Sequence, residues 1–181
     1  MYKLKLYNSM SNQKEEFTPL DPKNIRIYAC GPTVYNYAHI GNARMAVVFD
    51  FLVRLLRWLY PKVTYVSNIT DIDDKIIERS LKENVYYSKI TSKFTKIYNE
   101  DMSKLNVLKP DKQPKATDYV KNMIEKIESL EKDGFAYESE KHVLFNVASF
   151  PKYGALSKRN KTDQIAGSRV DVAQKKKEGA K

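Results

Sequence analysis

His39-Ile40-Gly41-Asn42 sets an imidazole and a carboxamide three residues apart, with a glycine between them. Upstream, Gly31-Pro32 interrupts any regular element after the β-like run Asn24-Ile25-Arg26-Ile27-Tyr28. Beyond Gly41 the chain opens into a long apolar helix. At such a strand–loop–helix junction the first helical N–H groups lack intrahelical partners, and the helix dipole favours an anion there. Gly41 lets a phosphate approach the backbone, while His39 and Asn42 suit charge developing on a transferring phosphoryl oxygen. The chemistry expected is adenylyl or nucleotidyl transfer. A histidine at a helix start is also a common cap, and the four residues alone leave that alternative open.

Cys30, the chain's single cysteine, precedes this loop. It could be a small buried hydrophobe, a nucleophile with His39 as base, or a metal ligand. No C-x-x-C or H-x3-H pair accompanies it, so spacing alone favours the buried hydrophobe. Thr70, Asp71, Asp73 and Asp74 form a second polar cluster. Asp71 or Asp73 could hold a substrate ammonium or a metal; they equally suit N-caps of the helix that follows, and for Asp73 or Asp74 capping is favoured.

These residues need elements to position them. Ile25 to Cys30 reads as the strand entering the loop. Asn42 to Leu59 reads as a helix apolar nearly all round, with Asp50, Arg54 and Arg57 as its one polar stripe and Asp50–Arg54 spaced to pair. Such a helix is expected to bury itself against a sheet. Lys62 to Ile69 then reads as a buried strand, so a right-handed crossover makes the two strands parallel neighbours. The Thr70–Asp74 cluster and the Cys30–His39 loop fall at the C-terminal edge of that sheet, where open α/β sheets bind ligands. Elsewhere, Lys3 to Tyr7 and Glu15 to Phe17 suggest short strands. Lys75 to Glu83, Ser88 to Leu105 and Ala116 to Lys132 suggest amphipathic helices, the last capped by Asp133-Gly134. Phe135 to Tyr137 and His142 to Val147 suggest a hairpin. Residues 151–181 lose the apolar period, are basic, and are expected to be poorly ordered or partner-dependent.

With 181 residues the chain makes one domain, or one domain and part of another. A net charge of +10 points to an anionic partner, nucleic acid ahead of a membrane surface, or to a merely solubilising lysine-rich surface. One cysteine excludes an internal disulfide. No apolar run approaches the roughly 18 residues of a membrane span, and no signal peptide is evident, so a cytoplasmic protein is expected.

Three separated blocks then point to a family. Tyr28-Ala29-Cys30-Gly31-Pro32-Thr33-Val34-Tyr35 with His39-Ile40-Gly41-Asn42-Ala43-Arg44 resembles the first motif of cysteinyl-tRNA synthetases, which are class I aminoacyl-tRNA synthetases. Val66 to Ile77 resembles the second strand and loop of that family, and Phe150 to Ser157 a later stretch. Asn42 stands where class I synthetases most often carry histidine, a variant this family tolerates.

The resemblance implies an α/β fold. Residues 1–110 would form the first half of a Rossmann-like, HIGH-type parallel-sheet nucleotide-binding domain, and 111–181 the start of a connective insertion. It implies that His39 and Asn42, with Thr33 and Gly41, hold ATP (with Mg2+) and stabilise the transition state at the α-phosphate. Gly31 and Thr70 would sit by the substrate L-cysteine. It also assigns Cys30 as a ligand of a single Zn2+ that binds the substrate thiolate and so separates cysteine from serine. The other zinc ligands, a KMSKS-type loop and an anticodon-binding domain would follow residue 181. The implied reaction is cysteine and ATP to cysteinyl-adenylate, then transfer to cysteine tRNA, with this chain alone not competent. A related ligase that passes the cysteine to a small amine, and a non-catalytic tRNA-binding module, are the alternatives.

Overall fold

The computed structural model describes residues 3–158. By packing, the chain forms two compact units, Pro19–Val120 and Met1–Thr18 with Lys121–Lys181. The boundary expected between residues 110 and 111 falls inside the first.

That first unit contains the expected strand–helix–strand. Strand β3 (Ile25–Ala29) is followed by helix α1 (Ile40–Leu59) and strand β4 (Val63–Ser67). The strands pair in parallel, with Ile25 opposite Val63 and Ala29 opposite Ser67. β4 buries alternate residues, Val63, Tyr65 and Ser67, the two-residue period of a strand packed on one face. A further backbone partner has no strand-like pattern in the sequence. Residues 112–116 run parallel to β4 on its other side, through Ser67 N–H to Lys112 O (3.1 Å), Ile69 N–H to Pro114 O (2.8 Å) and Ala116 N–H to Ile69 O (3.0 Å).

Helix α1 is not buried all round. Ala46, Asp50, Val53 and Leu56 face inward, whereas Val48, Phe51 and Trp58 are 58%, 70% and 81% exposed. Of the expected polar stripe only Asp50 is buried, while Arg54 and Arg57 stay exposed and reach back to the segment after residue 104. Asp50 pairs with Arg54 (2.8 Å) and accepts from Leu108 N–H (2.9 Å), while Arg54 donates to Asn106 O (2.7 Å). Arg57 grips both oxygens of Asp111 (3.0 and 3.1 Å), and Asp111 accepts Tyr65 N–H (2.7 Å). A carboxylate that accepts backbone N–H groups satisfies donors a hydrophobic residue would strand, which is why charge occupies this seam. The segment after Lys104 is thereby clamped to α1 and β4.

Helices α2 (Asp74–Glu83) and α3 (Tyr87–Lys104) complete this unit with the short 3-10 turn Ala116–Tyr119. Val34, Ala46, Ile69, Ile90, Phe94, Tyr98 and Met102 form its core, with Ala38 and Ala43 packed against it. Two of these, Val34 and Ala38, belong to the loop between β3 and α1. Burying a side chain such as Val34 contributes about 1.5–3 kcal/mol, so the loop is anchored rather than draped over the surface.

In the second unit β1 (Lys5–Asn8) and β2 (Gln13–Glu16) form one antiparallel hairpin, and β5 (Ala136–Ser139) and β6 (His142–Phe145) another. Helix α4 (Val120–Lys132) ends at Gly134, whose φ of 77° suits a residue without Cβ. The face expected to be its apolar side, with Met123, Ile124 and Ile127, is exposed. The basic residues from Arg159 to Lys181 lie outside the described residues.

Candidate functional site

His39 ends the loop in an extended conformation (φ −103°, ψ 171°) and is the N-cap of α1. Its Nδ1 accepts from Gly41 N–H at 3.0 Å, and its own backbone N–H donates to Asn42 Oδ1 at 3.1 Å. Two of the orphan donors of the helix start are thereby satisfied reciprocally. The capping alternative raised by the sequence is thus realised, yet it leaves one ring atom uncommitted. With Nδ1 accepting, the neutral imidazole carries its proton on Nε2. The cap therefore also fixes the tautomer that presents a donor.

His39 and Asn42 line a cavity of about 220 Å³ together with Thr33. Its remaining walls include Tyr35 and Tyr37 from the loop, Lys75 from α2 and Tyr98 from α3. Burial, reinforced by Tyr65, raises the Tyr98 hydroxyl above the ordinary phenol range, so it remains a neutral hydrogen-bonding group. The loop is held in place from both helices. Arg79 donates to Tyr35 O (2.6 Å) while pairing with Glu83 (2.6 Å), and its guanidinium lies 4.6 Å from the centre of the Phe94 ring. Tyr37 meets the same ring edge-on at 5.3 Å.

Gly41 does not line the cavity; it sets the position of the ring that does. A Cβ there would lie 2.7 Å from His39 Cε1 and 2.9 Å from Nδ1, closer than real Cβ atoms approach. The glycine was singled out as an opening for a phosphate. Its contacts show it also makes room for the capping imidazole.

Gly31 and Thr70 meet beside this cavity through Asn68, which the sequence reading did not single out. Asn68 Oδ1 accepts Gly31 N–H (2.9 Å), and its Nδ2 donates to Thr70 Oγ1 (3.1 Å). The loop also continues the parallel pairing beyond the named strands: Thr70 N–H donates to Pro32 O (3.0 Å) and Val34 N–H to Thr70 O (3.2 Å). Thr33 thereby bridges to Thr70, tying the cavity to the strand ends. A Cβ on Gly31 would fall 1.5 Å from the Asn68 carbonyl oxygen, so the backbone itself demands glycine here.

The acidic cluster is used structurally. Asp71 is buried and accepts from Thr117 N–H (3.0 Å) and Thr117 Oγ1–H (2.6 Å). Asp73 is the N-cap of α2, accepting from Lys75 N–H at 3.0 Å. Cys30 is exposed rather than the buried hydrophobe its spacing favoured. A structural zinc needs four donors and a catalytic one about three from protein. Among the described residues no group of three His, Cys, Asp or Glu side chains could hold a metal. The described residues thus offer Cys30 as one thiol donor and do not make a zinc site. No helix among them is long and apolar enough to cross a membrane.

Comparison with known proteins identifies the family. Residues 16–180 match the family model described as the tRNA synthetases class I (C) catalytic domain. A protein of Parvibaculum lavamentivorans named cysteine–tRNA ligase is 56% identical over 178 residues, 98% of this chain and 38% of that protein. Proteins of the same name from Rhodospirillum rubrum and Wolbachia pipientis are each 52% identical, over 98% and 96% of this chain. The chain thus spans under two-fifths of the length of these relatives. A solved structure from Campylobacter jejuni, assigned as an arginyl tRNA synthetase, superposes with a TM-score of 0.57 over 74% of this chain and 39% of its own. At 17% identity that likeness concerns the fold alone. The chain belongs to the class I (C) tRNA synthetase catalytic domain family.

Proposed function

We propose that this chain supplies the ATP-binding part of a cysteine–tRNA ligase, in the first half of a Rossmann-like, HIGH-type domain. The observation that carries the reading is the cap of α1. It engages Nδ1 and leaves Nε2 uncommitted, and His39 and Asn42 line one cavity at the C-terminal edge of a parallel sheet. Donors held before reaction, where charge develops, are the arrangement that stabilises a phosphoryl transition state. The relatives named cysteine–tRNA ligase support the choice of amino acid and acceptor.

In this mechanism a carboxylate oxygen of L-cysteine attacks the α-phosphorus of ATP, the bond between that phosphorus and its bridging oxygen breaks, and pyrophosphate leaves with Mg2+. A ribose hydroxyl at the 3′ end of cysteine tRNA then attacks the carbonyl carbon and AMP leaves. His39 and Asn42 serve the α-phosphate oxygens, with Thr33 beside them and Gly41 giving the imidazole its place. Gly31 and Thr70, locked together by Asn68, form the wall for cysteine. Thr70 Oγ1 accepts from Asn68, which leaves its own proton free to donate to the substrate. Cys30, exposed at the end of β3, would contribute one thiolate to a zinc whose other ligands lie outside the described residues. Zinc, when bound, favours a thiolate over a hydroxyl; no step above passes through it. The cytoplasm is the compartment this reading implies.

The test is ATP–pyrophosphate exchange by the full-length protein carrying this chain. Exchange with cysteine, and at least about a hundredfold less with serine, is expected. Equal exchange with both, or none with cysteine, refutes the assignment. Charging of cysteine tRNA rather than of a small amine separates the ligase from the amine-acylating alternative.

A further inference from the structure

The wall of the cavity that the α1 cap lines also contains Lys75, the one lysine or arginine among its lining residues. Its placement breaks a local rule. Lys75 is the second residue of α2, directly after Asp74 and two after the Asp73 cap. The positive end of the helix dipole favours carboxylates there and disfavours a cation. Among the described residues Lys75 forms no ion pair to offset this; its Nζ instead lies 5.3 Å from the centre of the Tyr35 ring, on the cavity wall. Its neighbour Arg79, one turn on, is in contrast fully engaged with Glu83, Tyr35 O and Phe94. A cation held against its helix, over an aromatic ring and lining one cavity with His39 and Asn42, lacks only an anion. Departures from local preference without an internal compensation concentrate at functional positions.

We propose that Lys75 is a phosphate-binding residue of the nucleotide site. This rests on the reading of the cavity as the ATP site and extends it: the α1 cap supplies hydrogen bonds, and Lys75 adds a positive charge. The ring of Tyr35 holds the ammonium by a cation–π contact until phosphate arrives.

The experiment measures binding of Mg-ATP and of adenosine to the full-length protein by calorimetry, for the parent, Lys75→Met and Lys75→Arg. Lys75 is exposed, so neither substitution disturbs the core, and thermal melts check this. The expected result is a loss of about ten- to a hundredfold in ATP affinity for Lys75→Met, with adenosine affinity unchanged. Lys75→Arg, which keeps the charge, stays within about fivefold of the parent. Unchanged ATP binding in Lys75→Met, or an equal loss for ATP and adenosine, overturns the proposal while leaving the nucleotide site standing. A parent protein that binds neither ligand overturns the site and the proposal together.

Discussion

Replacing Gly31 with alanine places a methyl group 1.5 Å from the carbonyl oxygen of Asn68. Ordinary contact begins at 3.4 Å, so the ends of β3 and β4 must separate by nearly 2 Å. The obstacle is backbone, and no side-chain rotation relieves it. The separation also stretches the bond from Gly31 N–H to Asn68 Oδ1 and with it the hold on Thr70. Overpacking of this kind costs about 1–3 kcal/mol, and the weakened hydrogen bond about 0.5–1.5 kcal/mol more. The expected loss of unfolding free energy is therefore about 1.5–4.5 kcal/mol. Urea denaturation of Gly31→Ala beside the parent measures it, with amide exchange at Thr70 and Val34 reporting whether the strand ends have parted. A change below about 0.5 kcal/mol with those amides still protected would refute the steric argument.

Gly41→Ala is the counterpart, because its Cβ meets the movable His39 ring rather than backbone. Lost capping and gained helix propensity, each about 1 kcal/mol, nearly cancel, so the melt stays near that of the parent while exchange activity falls; a parent-like rate argues against the ring's role. Asp71→Ala strands two donors of Thr117 and is expected to destabilise by about 2–4 kcal/mol; a neutral result in denaturation would show that the pairing contributes little. Burial raises the hydroxyls of both Tyr65 and Tyr98. Folding thus favours the neutral phenol, a stabilisation fully present below the unfolded value of about 10 and lost as pH rises through the folded value. Absorbance titration at alkaline pH should show two tyrosines ionising late and together with unfolding, and simultaneous ionisation of every tyrosine would contradict this.

The strand–helix–strand at the heart of the site was legible because Ile25–Ala29, the apolar helix and Val63–Ser67 obey local periods. What escaped notice rests on non-local backbone pairing. Lys112-Gln113-Pro114-Lys115 has no strand-like pattern, yet its carbonyls serve β4. Asp71 looked like a ligand or cap because its partner Thr117 lies 46 residues away. The stripe Asp50–Arg54–Arg57 was read as the polar relief on a buried helix. Its Asp50 is buried because the N–H of Leu108 needs an acceptor there, while the exposed Arg54 and Arg57 bind Asn106 O and Asp111. His39 and Asn42 were found from type and spacing, but their mutual cap is conformational. Lys75 carried one readable signal, a cation in the first turn of a helix.

The central claim is that the His39 ring acts on phosphate through Nε2 and is more than a cap. His39→Asn tests this most directly, since asparagine is an excellent N-cap but has no donor at the Nε2 position. Cysteine-dependent pyrophosphate exchange by the full-length His39→Asn protein, measured alongside its melting temperature, should show a kcat lower by about a hundredfold or more with stability within about 0.5 kcal/mol of the parent. Exchange at the parent rate in an equally stable protein would reduce His39 to its capping role and contradict the account.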